Sequence, residues 1–237
     1  MNTNNELIST KTNVVKPVYS ITPFTLIDFP DKTACIVWFS GCNMRCSYCY
    51  NPDIVNGKGK LSYDEVLDFL RKRVNLLDGV VLSGGECTLH KSIIEFIRQI
   101  KALGMLVKID TNGSNPKMLS TLIENKLIDF VSIDFKAPAE KFEEITKSNF
   151  YSQFHESLSI LKSSSTPFEV RTTVHADLLS PTDIKNMSNE LNKVEYKGKY
   201  FLQEFVSNVI TIGNLDNPES DFSDYENIDS PIPIEIR

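Results

Sequence analysis

At 237 residues with 41% hydrophobic side chains, the chain can enclose one sizeable core and is too apolar for a disordered or fibrous protein. Its formal charge of −6 sits in one place: 31 acidic and 25 basic residues become 24 of each once Thr211–Arg237, with seven acids and one base, is set aside. That balance leaves no basic stripe for nucleic acid, and no apolar run approaches the roughly 18 residues a membrane span needs.

Residues 1–17 (MNTNNELISTKTNVVKP) are polar, lack the apolar segment of a secretion signal, and read as a flexible lead-in, so a cytoplasmic location is expected. A core domain is expected over 18–210. Within it, β-rich runs at 33–39 (TACIVWF), 78–83 (DGVVLS), 105–110 (MLVKID), 128–134 (IDFVSID), 168–174 (FEVRTTV) and 199–206 (KYFLQEFV) predict six strands. Helix-period segments fall between them at about 62–73, 91–103, 116–125, 151–163 and 181–193. Ser62 ahead of Asp64-Glu65, Pro116 after Asn115 and Pro181 after Ser180 mark helix starts. Such alternation implies right-handed crossovers and a parallel sheet of near-continuously apolar strands, covered on both faces. Pattern alone leaves open whether that sheet closes. The acidic tail, 211–237, has three prolines and no clear period, and is expected to be extended, either packed on the surface or loose.

Chemistry-bearing residues fall where each strand ends, on one rim of such a sheet. After the first run comes GCNMRCSYCYNP, with Cys42, Cys46 and Cys49; after the second, Gly84-Gly85-Glu86; the third ends in Asp110-Thr111-Asn112-Gly113 and the fourth in Asp134-Phe135-Lys136. The cysteines fit a core stripe on one helical face, a metal site, or a cluster. Gly41, Asn43 and Asn51-Pro52 break a helix on both sides and so favour a loop. A closed zinc site asks for four ligands, whereas beyond these three only Cys35, Cys87 and three scattered histidines remain. Three thiolates suit a [4Fe–4S] cluster with one iron left open to a small molecule.

The CxxxCxxC spacing with Tyr48 before the last cysteine, followed by Gly-Gly-Glu after the next strand, resembles the radical S-adenosylmethionine (radical SAM) superfamily across nearly all of 33–206. Within it, ITPFTLIDFPDKTACIVWFSGCN, GGECTLH, DTNGSNP and DFKAP look like the activating proteins of anaerobic ribonucleoside-triphosphate reductase. The resemblance implies an α/β fold, a partial (β/α)6 TIM-like barrel with parallel strands. It further implies a [4Fe–4S] cluster on Cys42, Cys46 and Cys49, with S-adenosylmethionine (SAM) on the open iron, reductively cleaved to a 5′-deoxyadenosyl radical. The partner it implies is a glycyl-radical protein, the large subunit of that reductase, with an electron donor such as flavodoxin.

On the same footing, Gly84 and Gly85 would admit the methionyl part of SAM, Glu86 would face its ammonium, and Tyr48 would lie beside the adenine. Asp110 and Asn112 share strand parity, as do Asp134 with Lys136 and Arg171 with Thr173 and His175. Asp110, Asn112, Lys136 and Arg171 are thus candidates for SAM or substrate contacts, with a structural ion pair as the alternative reading for the charged three. His175 reads as structural. Two positions depart from the family's usual pattern: Cys87 stands where proline is common after Gly-Gly-Glu, and Tyr50 where activating proteins commonly carry histidine. A small-molecule enzyme of the same superfamily, such as 7-carboxy-7-deazaguanine synthase, is the alternative reading.

Overall fold

The structure, a computed structural model, describes residues 15–237; all but the last three residues of the expected lead-in therefore lie outside the described residues. One sheet carries eight strands in sequence order. They are β1 (Val18–Thr25), β2 (Ala34–Phe39), β3 (Gly79–Gly84), β4 (Leu106–Thr111), β5 (Phe130–Asp134), β6 (Phe168–Val174), β7 (Tyr200–Glu204) and β8 (Ile234–Ile236). β1 runs antiparallel to β2, and every later neighbour is parallel. β1 and β8 remain free edges, so the sheet does not close. The six expected strands are β2 to β7.

The helices are α1 (Pro52–Asn56), α2 (Tyr63–Arg71), α3 (Ile93–Ala102), α4 (Pro116–Glu124), α5 (Ala139–Thr146), α6 (Tyr151–Ser163) and α7 (Pro181–Lys193). The start signals hold in detail. Ser62 and Glu65 form a reciprocal capping box, Ser180 and Asp183 form another, and Asn115 accepts from Met118 N. β1, β8, α1 and α5 are additions to the expected set. β1 contains Pro23, beside which its pairing with β2 slips register, a fault only an edge strand tolerates.

Alternation along the strands separates two faces. Val80, Leu82, Val107, Ile109, Val131, Ile133 and Val170 are buried in the main core with the helices. The opposite face is apolar only at one end, where Phe29, Ala34, Ile36 and Val81 pack with Leu106 and Phe130. Toward the C-terminal ends of the strands it turns polar, contrary to the expectation of continuously apolar strands, and Trp38, Ser83, Asp110, Asp134, Arg171 and Gln203 from six successive strands line one cavity. For six strands to share a cavity, the sheet must curl around it.

The acidic tail is packed. Ile212 N and Gly213 N donate to Cys49 O and Ser47 O, both at 2.9 Å. Asp177 accepts from Glu219 N and Ser220 N, and β8 pairs with β7. Among the described residues, no helix is long and apolar enough to cross a membrane.

Candidate active site

The cysteine loop leaves β2 through Gly41, whose φ of +85° lies in the region glycine favours. Three of its amides are spent on other segments: Gly41 N donates to Ile54 O, Arg45 N to Thr146 O and Ser47 N to Ile145 O. A helix from 42 to 49 is therefore excluded, and the three thiols stand on a braced loop. All three line the shared cavity, of about 190 Å³. None is in a disulfide. Burial pushes the Cys42 thiol up and the Cys46 thiol up to about 12. Among the described residues, no three His, Cys, Asp or Glu side chains close around a single ion.

Glycine is required twice at the end of β3 because backbone meets backbone. A Cβ on Gly85 would stand 1.9 Å from Gly41 O, and one on Gly84, at φ +116°, would stand 2.4 Å from Phe39 N. Gly85 N and Glu86 N donate to Phe39 O and Gly41 O, both at 2.9 Å. The Gly-Gly pair thus locks β3 to the start of the cysteine loop.

Glu86 alone among the expected site residues does not line the cavity. Its carboxylate is buried and accepts four hydrogen bonds: Oε1 from Thr88 N (3.1 Å), Thr88 Oγ1 (2.6 Å) and Thr111 Oγ1 (2.9 Å), and Oε2 from Asn112 N (2.7 Å). Burial raises its pKa against the opposing pull of those donors. Here it ties the end of β4 to the turn after β3.

Asp110, Lys136 and Arg171 join one ion chain across the cavity. Lys108 Nζ meets Asp110 Oδ1 at 2.5 Å, Arg171 reaches Asp110 Oδ2 at 3.4 Å and Asp134 Oδ1 at 2.9 Å, and Lys136 Nζ meets Asp134 Oδ2 at 3.0 Å. Burial alone would raise both carboxyls. Arg171 with Lys108 outweighs it at Asp110, and Arg171 with Lys136 holds Asp134 at about 2. These charges pair with one another and also line the cavity.

Asn112 is buried just past β4. Its Oδ1 accepts from Ser114 N at 2.9 Å, and its Nδ2 donates to Asn43 Oδ1 at 3.1 Å and lies 3.8 Å from Cys42 Sγ. Tyr48 lines the cavity with its hydroxyl buried and without a partner. His175 and Cys87 lie off the cavity; His175 Nε2 meets Asp216 O at 3.0 Å, and Cys87 Sγ lies 3.6 Å from Asp110 O. Asp28, Trp38, Ser83 and Gln203 were not expected at the site but line it. Parity with Asp110 and Arg171 marks the three on strands; nothing marks Asp28, which lies in the connection between β1 and β2.

The model of the Radical SAM superfamily matches residues 36–185. A protein of Methanocaldococcus jannaschii, provisionally named a glycyl-radical enzyme activating enzyme, is 33% identical over 198 residues, 79% of each chain. The pyruvate formate-lyase-activating enzyme of Clostridium pasteurianum is 33% identical over 130 residues, 52% of this chain and 53% of that one. In fold, Streptococcus suis SuiB bound to S-adenosylmethionine superposes with a TM-score of 0.64 at 13% identity over 85% of this chain, which spans 51% of the SuiB chain.

The superfamily's cofactors are SAM and a [4Fe–4S] cluster, and the residues present fit them. Three thiols edge one cavity without closing on a single ion, and the same cavity is lined by the cations Lys136 and Arg171 and by Tyr48, whose hydroxyl is buried without a partner. With the matching region spanning β2 to the start of α7, and with the open parallel sheet and its thiol-edged cavity in place, the chain belongs to the radical SAM superfamily.

Proposed function

We propose that the chain activates a glycyl-radical enzyme, and that its partner is the large subunit of anaerobic ribonucleoside-triphosphate reductase. The observation that carries the first part is the likeness to a named activating enzyme along 79% of both chains. The second part rests on the sequence resemblance described above. Bound together, SAM and the reduced cluster would supply a 5′-deoxyadenosyl radical able to take a hydrogen atom from a glycine Cα of the partner.

In this reading Cys42, Cys46 and Cys49 hold the cluster. Lys136 and Arg171 carry the positive charge facing the cavity and would receive a carboxylate, although each already shares Asp134. Tyr48 lines the same cavity. The free edges β1 and β8 leave the cavity wall unclosed, which suits a substrate that is a loop of another protein.

The test is anaerobic. The reconstituted chain, SAM, reduced flavodoxin and the reductase large subunit should together give a glycyl-radical doublet in electron paramagnetic resonance, with deoxyadenosine formed in step. A doublet only with pyruvate formate-lyase would replace the partner. No doublet with any glycyl-radical protein, alongside deoxyadenosine release driven by a purine-like small molecule, would replace the activase reading itself.

A further inference from the structure

The three thiols are not equivalent. Cys42 Sγ has two nitrogen donors near it, Met44 N at 3.4 Å and Asn112 Nδ2 at 3.8 Å; among the described residues, no hydrogen bond reaches Cys46 Sγ or Cys49 Sγ. The main-chain donor is a by-product of the loop's own turn. The side-chain donor comes from a different strand end and is held there on purpose-built contacts.

The orientation of the Asn112 amide follows from its neighbours. Ser114 N can only donate, so the oxygen 2.9 Å from it is the Asn112 carbonyl and the amino group must face Cys42 and Asn43. Asn43 is fixed in turn, because the atom 3.1 Å from the donor-only Asn112 amino group must be its Oδ1, which leaves Asn43 Nδ2 to donate to Ser114 Oγ at 2.8 Å. One amino hydrogen of Asn112 is thus used on Asn43, and the second is free for sulfur. The main chain is anchored separately, through Asn112 N donating to Glu86 Oε2 at 2.7 Å.

A hydrogen bond to a ligating thiolate draws charge off the sulfur and favours the more negative, reduced cluster. On the reading that the three cysteines hold a [4Fe–4S] cluster, we propose that Asn112 tunes it. Its side-chain amide donates to the Cys42 thiolate and raises the potential at which the cluster accepts an electron from a low-potential one-electron reductant. Glu86 acts through Asn112, as a positioning residue.

The experiment is a potentiometric titration of the reconstituted full chain without SAM, for wild type, Asn112→Leu and Asn112→Ala. Leucine matches asparagine in shape and adds no charge that would shift the potential by itself. The expected result is about four irons per chain in all three and a roughly tenfold lower ratio of reduced to oxidised cluster in the variants at a fixed potential, which for one electron is about 59 mV downward. Unchanged potentials in iron-replete variants would overturn the inference. If both variants fail to hold iron, pulsed electron paramagnetic resonance on reduced wild type labelled with 15N in asparagine side chains decides: a nitrogen coupling supports the bond, and its absence overturns it. Wild type that binds no iron would instead take down the cluster reading.

Discussion

Glu86 shows how one residue can be found by sequence while its protein partners become visible only in the fold. Its place after Gly84-Gly85 marks it as part of the site, yet its carboxylate takes four donors from its own fold, two of them backbone amides that can only donate. Glutamine offers a single accepting oxygen. Glu86→Gln should therefore strand one buried N–H and lower the stability of the apo chain by about 1–3 kcal/mol, read as a shift in denaturant midpoint. An unchanged midpoint together with weakened SAM binding would assign Glu86 to the SAM ammonium instead. The glycines before it carry the same lesson. Sequence reading finds that a side chain is forbidden there, but only the fold shows that the forbidding neighbours are Gly41 O and Phe39 N.

Among the elements, β2 to β7 were legible because each is a short apolar run bounded by turn residues, with a capped amphipathic segment beyond most of them. Three of the four additions are shorter than the segments recognised, α1 having five residues, α5 eight and β8 three. The tail was ambiguous for another reason. Tyr225 and Ile232 anchor it singly in the main core, and the rest of the docking is backbone pairing of Ile212 and Gly213 with Cys49 and Ser47, plus side chains reaching main-chain atoms; none of these leaves a periodic trace in the sequence. A Cβ on Gly213 would lie 2.7 Å from Ser47 Cβ, so Gly213→Val should lift this strap off the cysteine loop. The expected outcome is several-fold faster bleaching of the cluster in air, followed by absorbance, with the secondary structure of the rest of the chain intact by circular dichroism. Equal bleaching rates would mean the strap gives the loop no protection.

At the level of the whole molecule, the ion chain inside the curled sheet ties β4, β5 and β6 together through charge as well as packing. Asp134 is its hub, paired with both Arg171 and Lys136. Its carboxyl sits at about 2 in the fold, below the roughly 3.9 of an unfolded aspartate. A depressed carboxyl stabilises the fold at every pH above its unfolded value and loses that contribution as pH falls through the folded one. The apo chain should thus lose this contribution between about pH 4 and pH 2. Asp134→Asn leaves Lys136 without its carboxylate and should cost about 3–5 kcal/mol near neutrality, with a flatter pH profile in the acid window. Denaturant midpoints measured across that range check it; parallel profiles for the two proteins would remove Asp134 from the account.

The Asn112 contact also bears on how the protein is made. Asn112 reaches Cys42 across 70 positions of chain and Asn43 across 69, so this corner of the thiol-edged cavity depends on long-range folding and is completed only when β4 takes its place beside β3. A synthetic peptide of the cysteine loop would carry all three thiols and lack this donor. On the ribosome the same division is one of time: iron delivered before β4 emerges meets three thiols on a free loop, and iron delivered afterwards meets a cradle already shaped.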